Sequence, residues 1–400
     1  MNTILTDAKA LHEEIVRHRR WLHSHAEVGF DLKQTKEYVR RELTQMGYCP
    51  TDCGKAGLVA LAGGKKAGKV FLLRADMDAL PMAEESGVEF ASGTGAMHAC
   101  GHEMHTAMLL GAAKLLKQRE AQIHGTVKLM FQPAEEIFEG GKDMIARGVL
   151  DDPRPDAAIM IHVTAGLPMP AGTVIVSAPG VTAPAADYFT IHVRGKGCHG
   201  SAPHNGVDAL TAAAHILIAL QEIHARELPA AEEAVLTVGT FRGGTADNAI
   251  ADSAVLGGTM RSYDETVRSF LKERLQTIAC CVAQAYRAKA QVEFGSGCPT
   301  LVNDPDLAAK AKVYLTQTLG SRFVLSAADF GRPSRGGGSE DFAYVSQQIP
   351  ALMLALAAGE PGKGYTYPLH HPKVTLDESA LSCGTAAFVA MALGWLDEHR

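Results

Sequence analysis

Residues 69–81 read KVFLLRADMDALP, a short apolar run that ends in an acidic segment. Similar runs recur with helical stretches between them. A helix is predicted after His102, a second run at residues 126–131 stops at QPAEE, and a third at residues 157–162 (AAIMIH) ends in a histidine. Strands that alternate with helices predict an α/β fold with a mostly parallel sheet. Sites in such sheets lie beyond the carboxyl ends of strands, so the residues that follow these runs are candidates for function.

The middle third of the chain has a different rhythm. Its pattern predicts strands at 188–194, 234–241, 254–262 and 289–294 and helices at 209–223 and 267–285. The order βαββαβ matches the ferredoxin-like split pattern, which can fold as a separate inserted unit. We therefore predict a catalytic domain in two pieces, residues 1–183 and 297–400, interrupted by a smaller α+β domain at residues 184–296.

Composition excludes several classes of protein. The 400 residues are 46% hydrophobic and 20% charged, with a formal net charge of −6, which is an ordinary globular balance. A negative net charge argues against a broad nucleic-acid or anionic-membrane surface. The chain has no apolar run of about 18 residues, so no membrane span is expected, and its first residues do not resemble a signal peptide. The basic run at residues 17–20 (RHRR) is interpreted as one solvated helix face.

The cysteines do not suggest a disulfide framework. Eight cysteines occur in a long chain, and Cys280 and Cys281 are adjacent, which disfavours their serving a disulfide scaffold. We expect a cytoplasmic protein with reduced thiols. Cys198, Cys298 and Cys383, together with the adjacent pair, are interpreted as small apolar packing residues.

Residues 98–105, HACGHEMH, concentrate potential metal ligands. Three histidines and one cysteine lie within eight positions, and thiolate and imidazole are ligands that transition metals prefer. Cys100 and His102 come just before a predicted helix, whose N-terminus would favour the thiolate. The spacing is not that of the HExxH metalloproteases. The alternative is a histidine-rich loop at a helix start.

Glu135 and Glu136 follow the second strand directly. Because adjacent side chains point in different directions, one carboxylate can bind a metal while the other faces a water that the metal activates. That is the arrangement a general base requires. The alternative is an exposed acidic turn.

Other candidates are less specific by themselves. His162 ends an apolar strand, where a lone histidine is more often structural. Either His370 or His371 could be a ligand. Asp76 and Asp78 lie at a strand end, where a carboxylate could orient a metal-bound histidine or form an Asx-type turn.

Together these motifs resemble a known family. The segments RADMDALP, HACGH, QPAEE, IHV, GCHGSAPH, GTMRS and GSEDFA occur in this order, as in bacterial hippurate hydrolases and N-acyl-amino-acid amidohydrolases. Plant auxin-conjugate hydrolases look similar, and all are aminoacylase and carboxypeptidase-G-like metallopeptidases. The resemblance extends from about Arg17 to about Glu378, and the combination of motifs is far more specific than any one of them.

The resemblance implies a two-metal catalytic domain with an inserted lid that also mediates dimers. It implies two divalent ions, which could be Zn, Mn, Co or Ni, and these metal ligands, with Cys100 shared between the ions: Cys100, His102, Glu136, His162 and His370. His370 is preferred over His371 because the family motif is His, a variable residue, then Pro.

The resemblance also implies roles in catalysis and substrate binding. Glu135 would be the general base and proton shuttle, Asp76 a carboxylate behind the ligands, and His199 an oxyanion-stabilising residue that acts across a dimer interface. Asn248 and Arg261 would hold the substrate carboxylate, and Gly338, Ser339 and Glu340 would line the pocket.

The chain departs from the family pattern at three places. Glu103 stands where the family usually has Asp, Ala26 replaces a common Pro, and residues 162–172 (HVTAGLPMPAG) are unlike the usual form. These differences bear on substrate choice and metal preference more than on the type of reaction.

The expected function is hydrolysis of the amide bond of an N-acyl amino acid, a small-molecule substrate, by a homodimer or a dimer-based oligomer. The alternatives are a dipeptidase or carboxypeptidase on the same scaffold, and a catalytically idle metal-dependent binding protein. The Glu135–Glu136 pair argues against the idle protein, since a binder needs no base. A nucleotide-binding enzyme is disfavoured because no P-loop lysine follows the glycines at 336–338, and a serine hydrolase because its G-x-S-x-G motif is missing.

Overall fold

A computed structural model describes residues 3–327 and 337–400 of the chain. Its strands in this part of the chain are β1 Thr51–Cys53, β2 Gly57–Gly63, β3 Val70–Asp76, β4 Thr126–Gln132, β5 Ala157–Thr164, β6 Val174–Val176, β7 Gly180–Ala183, β8 Ala185–Arg194, β9 Cys198–His199, β10 Ala234–Gly243, β11 Ala249–Ile250, β12 Ser253–Ser262, β13 Lys289–Cys298, β14 Leu301–Asn303, β15 Val324–Ser326 and β16 Ala351–Ala357. Its α-helices there are α1 Ile4–Ala10, α2 His12–Ser24, α3 Lys33–Gln45, α4 His102–Gln118, α5 Gly140–Ala146, α6 Ala209–Glu222, α7 Glu265–Ala285, α8 Pro305–Leu319, α9 Ala343–Ser346 and α10 Leu381–Glu398.

The described chain divides into two compact units. The first comprises residues 3–182, 301–327 and 340–400, and the second comprises residues 183–300 with residues 337–339. Each has its own hydrophobic core.

An eight-stranded sheet forms the centre of the first unit, in the order β1-β2-β4-β3-β5-β16-β6-β15. The pairs β4–β3, β3–β5, β5–β16 and β6–β15 are parallel, and the other three are antiparallel. Six of the seven residues of β3 are buried, as expected for a strand that is covered on both faces. Such strands are near-continuous apolar runs in sequence. The predicted α/β fold with a mostly parallel sheet is confirmed.

Two buried helices fill the core of this unit. In α4, 14 of the 17 residues are buried, and in α10, 14 of the 18. A helix that is apolar on all sides suits a core position. The segment Glu378–Glu398 is long and apolar enough to cross a membrane, but 83% of its most apolar window is buried inside the structure. Its hydrophobicity is therefore accounted for by packing.

The second unit is built on an antiparallel sheet in the order β10-β12-β8-β13. Helices α6 and α7 supply core residues such as Ile216 and Leu275, which cluster with sheet residues such as Ile191 and Leu256. Burial along β13 alternates over its first eight residues, as expected for a sheet with one covered face. The carboxylates of Asp208 and Asp264 cap the two helices by accepting backbone N–H groups.

Some local predictions were wrong. The stretch at residues 35–47 (TKEYVRRELTQMG) predicts a helix with Thr35 as its N-cap, but α3 begins at Lys33, so Thr35 lies inside it. Glu27 replaces it, since its carboxylate accepts the N–H groups of residues 34 and 35. Cys280 and Cys281 are exposed, so they are not packing residues.

Candidate metal centre

The candidate site begins at the ends of three adjacent strands. In the sheet, β3 lies between β4 and β5 and is parallel to both, so their carboxyl ends share one edge. Asp76 is the last residue of β3, and His162 lies near the end of β5. Glu135 follows the end of β4 by three residues. Topology thus explains why distant motifs meet here.

A tight turn at Gly101 positions Cys100 and His102 at the start of α4. Gly101 is the N-cap of α4 and has a φ of 84°, in the left-handed region that glycine adopts without strain. A Cβ at this position would collide with Val163 and lie 2.8 Å from Leu376 Cδ1. The turn therefore needs glycine both for its conformation and for its close packing, and it places Cys100 and His102 beside each other.

Five side chains from four segments bring their donor atoms together. One group consists of Cys100, His102 and His162, and a second consists of Cys100, Glu136 and His370; within each group the donor atoms lie within 4.8 Å of one another. Cys100 Sγ lies 3.6 Å from His162 Nε2 and 3.3 Å from His370 Nε2. His370 Nε2 lies 3.5 Å from Glu136 Oε1. Cys100 alone belongs to both of these groups.

The unpaired atoms of this cluster fit a metal ion. His102 Nε2 and Glu136 Oε1 are buried and have no hydrogen-bond partner in the described part of the chain. Buried polar groups are normally hydrogen-bonded, and thiolate, imidazole and carboxylate are together a ligand set for transition metals. The donor set and these unpaired atoms therefore fit the divalent metal binding that the family resemblance implies.

Asp78 orients the acid pair and His102 at once. Its two carboxylate oxygens accept the backbone N–H groups of Glu135 (2.9 Å) and Glu136 (3.1 Å). Its backbone carbonyl accepts the Nδ1–H of His102 at 2.9 Å, so that Nε2 faces the other donors. Ala134 has a φ of 55°, and such a turn directs successive N–H groups to one side, where they bind an anion.

Asp76, which the family resemblance makes the carboxylate behind the metal ligands, has other partners. Its Oδ1 accepts a hydrogen bond from His105 Nδ1 at 2.6 Å, and its Oδ2 pairs with Arg74 at 2.8 Å. It reaches His102 only at 3.6 Å, on the Nε2 side. The sequence leaves Asp76 and Asp78 equally open as carboxylates that orient a histidine, and it indicates His105 only as one of the potential metal ligands of HACGHEMH. No spacing rule distinguishes the two aspartates.

A buried arginine organises the acidic side chains behind the cluster. Arg74 is fully buried and donates to Glu340 and Asp341, at 2.8 and 2.9 Å, besides Asp76. The Glu340 carboxylate also accepts the backbone N–H of Phe342. Glu340, a predicted pocket residue, is thus buried with its carboxylate engaged by Arg74.

Burial dominates the electrostatics of the reactive groups. It raises the pKa of Glu135 well above its usual range, and the nearby Glu340 charge adds to this. It raises the pKa of Glu136 to about 7 despite the opposing effect of His102. Burial likewise raises the pKa of the Cys100 thiol. Removing water from carboxyl and thiol groups favours their neutral forms, so a cation must displace protons to bind here.

Glu103 lies in an ion-pair network behind the metal-binding turn. Its carboxylate accepts hydrogen bonds from Arg19 Nε (3.1 Å) and His23 Nδ1 (3.0 Å), and Arg19 also donates to Glu378 at 3.0 Å. Burial raises the pKa of Glu103, but the His23 hydrogen bond and the neighbouring charges outweigh it and hold the pKa well below its usual range. The solvated-face prediction for residues 17–20 is wrong for Arg19, which is 3% exposed, because these carboxylates compensate its burial.

In the second unit, His199 and Asn248 lie side by side. His199 pairs with Ala249 across β9 and β11, and the Gly200 N–H donates to the Asn248 carbonyl at 2.7 Å. Both His199 and Asn248 are exposed.

Arg261 lies elsewhere in this unit. It is half-buried near the far end of β12 and pairs with Ala186, whereas β11 precedes the other end of that strand, at Ser253. Arg261 lies eight residue steps along the extended strand from Ser253, or about 26 Å. Within one chain, the structure does not bring Arg261 to Asn248.

Two of the predicted pocket residues, Gly338 and Ser339, belong to the second unit. Gly338 is exposed, and Ser339 is half-buried, with an Oγ that has no hydrogen-bond partner among the described residues. Residues 195–200 (GKGCHG) match a G-x-G-x-x-G pattern, but they follow β8 and contain the short strand β9, with no helix directly after the glycines. A dinucleotide site requires a strand and a helix around that pattern, so it carries no such meaning here.

The fold and the donor cluster define the class of protein as an α/β protein with a candidate metal centre, in which two donor groups share Cys100. Residues 72–394 match Peptidase family M20/M25/M40, and the chain belongs to this family. It is 32% identical to a dinuclear metal-binding peptidase of the M20 family from Bacillus subtilis, with a TM-score of 0.77 over 97% of this chain and 99% of the other.

Three further relatives cover most of the chain. It is 34% identical to an N-acetylcysteine deacetylase from Bacillus subtilis, over 96% of this chain and 97% of the relative. It is 38% identical to an N-acyl-L-amino acid amidohydrolase from Geobacillus stearothermophilus, over 72% and 78%. It is 35% identical to thermostable carboxypeptidase 2 from Saccharolobus solfataricus, over 97% and 96%. The relatives' names thus include both amidohydrolases and carboxypeptidases.

Proposed function

We propose that this protein is a metal-dependent amidohydrolase that cleaves N-acyl amino acids, including hippurate-like substrates, to a carboxylic acid and a free amino acid. One observation carries the proposal: two groups of metal-donor atoms share Cys100, and the carboxylate of Glu135 lies beside them. Glu135 Oε2 is 3.9 Å from His102 Nε2. A binding protein has no need of a buried carboxylate at this position.

Cys100, His102, Glu136, His162 and His370 would hold the two ions, with Cys100 shared. Bound divalent ions supply Lewis-acid activation of the amide carbonyl and of the attacking water. Zn, Mn, Co and Ni all suit this ligand set, since geometry and availability decide among them.

Glu135 is the proposed proton carrier. The Asp78 carboxylate accepts the backbone N–H of Glu135, which fixes the backbone that carries the Glu135 side chain. Glu135 takes a proton from the attacking water and delivers it to the leaving amine. Burial raises the pKa of Glu135, and a carboxyl group whose pKa is raised is better suited to carry a proton from one group to another.

Residues of the second unit would bind and recognise the substrate. Arg261 can bind a carboxylate in a charge-assisted pair, which would favour acyl amino acids over plain amides. Asn248 would contact the same carboxylate, and His199 would stabilise the developing oxyanion. Because Arg261 is separated from Asn248 and His199 by the length of β12 within one chain, we propose that a homodimer supplies the two ends from different subunits.

The pocket wall and the cellular context complete the proposal. Gly338 and Ser339 would line the substrate pocket, and Glu340 would support that wall through its ion pair with Arg74. Residues 184–296 would act as the lid and dimerisation domain and residues 1–183 and 297–400 as the catalytic domain. All eight cysteines are free, which supports a reducing compartment such as the cytoplasm.

Glu135→Gln tests the proposal directly. Removing a general base should lower kcat for N-benzoylglycine or N-acetyl-L-cysteine by about 10²- to 10⁴-fold, with bound metal unchanged. Glu139→Gln is the matched control, since Glu139 lies in the same loop and pairs only with Lys142 among the ionic partners found in the described residues. Turnover near the wild-type value in Glu135→Gln would refute the assignment.

A carboxypeptidase is the second candidate, because the Saccharolobus relative carries that name. Both enzymes need a carboxylate on the product side, but they differ in the other half of the substrate. A comparison of N-acyl amino acids with free dipeptides and N-blocked peptides distinguishes them. We expect a higher kcat/KM for the N-acyl amino acids, and the reverse order would favour the carboxypeptidase.

A further inference from the structure

His105 is a fully buried histidine in the first turn of α4, three residues after His102. Its Nε2 lies 2.9 Å from the backbone N of Val163, and its Nδ1 lies 2.6 Å from Asp76 Oδ1. A backbone N–H can only donate, so Nε2 must accept, and Nδ1 carries the proton that is donated to Asp76. Both ring nitrogens are therefore occupied.

Val163 connects this histidine to a predicted ligand. The Val163 carbonyl accepts a hydrogen bond from His162 Nδ1 at 2.7 Å, which leaves His162 Nε2 facing Cys100 Sγ. The rings of His105 and His162 also meet edge to face, with centroids 4.7 Å apart. His105 thus holds the backbone N–H of the residue whose carbonyl orients His162.

We propose that His105 is a positioning residue for His162 and not itself a metal ligand. Its donor atoms lie close enough to those of Asp76 and His102 to form a third potential ligand group, but its hydrogen bonds use both nitrogens. The inference rests on the proposed metal centre and adds to it a residue that fixes one ligand through the backbone.

The hydrogen-bond chain explains how this works across the sheet. Arg74 holds Asp76, Asp76 holds His105, and His105 holds Val163, so the ends of β3 and β5 are tied together through α4. All four residues are buried. Breaking the chain leaves a carboxylate oxygen and a backbone N–H unpaired in the interior, which is costly. The end of β5 would then shift and His162 with it.

The experiment measures binding of Co²⁺ to metal-free protein, by calorimetry and by the visible absorption of the bound ion. His105→Leu removes both hydrogen bonds and fills most of the space. It should weaken Co²⁺ binding by about 10- to 100-fold, as for other residues that orient ligands, while still taking two ions at saturation. His105→Gln retains an acceptor near the position of Nε2, so it should recover most of the affinity.

The matched control is His18, another buried histidine of this unit, whose Nδ1 hydrogen-bonds to Tyr38. His18→Leu and His18→Gln should lower thermal stability without changing Co²⁺ affinity. If His105→Leu does not fold, His105→Asn, which can keep only the bond to Asp76, takes its place and should bind Co²⁺ more weakly than His105→Gln.

Three outcomes would contradict the inference. Wild-type Co²⁺ affinity in His105→Leu, or in His105→Asn where His105→Leu does not fold, would show that the residue only packs. Loss of one ion at saturating Co²⁺ in both His105→Leu and His105→Gln would make His105 a ligand. Wild-type protein that does not bind two Co²⁺ ions would contradict the proposed metal centre as well, whereas the first two outcomes leave that centre intact.

Discussion

His102 Nε2 and Glu136 Oε1 lie 3.9 Å apart in the interior, and neither atom has a hydrogen-bond partner within the described residues. An unsatisfied buried polar group costs about 1–3 kcal/mol. Two neighbouring groups favour their neutral forms and so do not supply a compensating charge. Burial raises the pKa of the Cys100 thiol, and burial together with the charge of His102 lowers the pKa of His370. Such a cluster should be stabilised strongly by a cation.

Cys100→Ala should therefore weaken metal binding and lose much of the metal-induced stabilisation. In wild-type protein, a free metal concentration 100 times Kd should stabilise the folded state by about 2.7 kcal/mol, visible as a higher Tm. Because Cys100 belongs to both donor groups, its loss should affect both ions. The measurement is metal content and Tm with and without added metal. Cys53→Ala, at another buried cysteine of the same unit, should behave like wild type, and equal metal affinity in the two variants would remove Cys100 from the site.

Asp78→Asn should lower both metal affinity and kcat. The amide nitrogen that replaces one carboxylate oxygen would face a backbone N–H as donor against donor, so either Glu135 or Glu136 loses its anchor. Residues that orient ligands typically contribute about 10- to 100-fold to affinity or activity. Asp156→Asn is the control, since Asp156 also accepts a backbone N–H, that of Val70. Equal effects of the two variants on metal affinity would mean that Asp78 contributes only to folding.

Much of the fold could be predicted from sequence because its signals are local and strong. Runs such as 157–162 are buried on both faces and so stand out as continuous apolar segments. The alternation in 289–294 reflects one covered face. The motifs HACGH and QPAEE also carry their chemistry in a few adjacent residues, and topology then brings them together at one sheet edge.

The parts that could not be predicted depend on packing between distant segments. Asp76 and Asp78 are equivalent in a sequence pattern, and only the position of the Glu135 turn shows which one receives its N–H groups. Arg19 looked like part of a solvated basic face, since its partners Glu103 and Glu378 lie 84 and 359 positions away. Long-range pairing of this kind leaves no periodic trace in the sequence.

Gly101→Ala should destabilise the protein and distort the metal-binding turn. Alanine in the left-handed conformation costs about 1–2 kcal/mol. Its Cβ would also overlap the Val163 side chain, and overpacking of this kind costs about a further 1–3 kcal/mol. Gly87 provides the control, because it has a φ of 75° and a Cβ added there would meet no atom within 4 Å. Gly87→Ala should show the conformational cost alone. Chemical denaturation measures both, and equal losses would contradict the packing argument.

The His23 ion pair should make stability depend on pH. Burial opposes its charge, but hydrogen bonds to Glu103 and Glu84 outweigh this and raise the pKa of His23 from 6.5 to about 9. Since the folded-state pKa is the higher one, the stabilisation is complete below pH 6.5 and is lost as the pH rises through about 9. The full effect is on the order of 3 kcal/mol. The difference in unfolding free energy between wild type and His23→Gln should shrink over this window, and a constant difference would contradict the assignment.

His199→Ala should lower kcat more than it raises KM. A donor that stabilises the oxyanion acts in the transition state, and its removal typically costs about 10²- to 10³-fold in kcat. His204→Ala is the control, as His204 is exposed in the same unit. A change in KM alone would instead make His199 a substrate-holding residue.

Mixing subunits tests whether His199 acts across a dimer. Glu135→Gln and His199→Ala homodimers should each be nearly inactive, for different reasons. If His199 serves the site of the other subunit, a mixed dimer contains one site with both defects and one with neither, so activity should recover on co-refolding toward about half of the wild-type value per mixed dimer, as intact and disabled sites are independent. If His199 serves its own subunit, each site in the mixed dimer keeps one defect and activity stays low. The separation of Arg261 from Asn248 along β12 favours the first result.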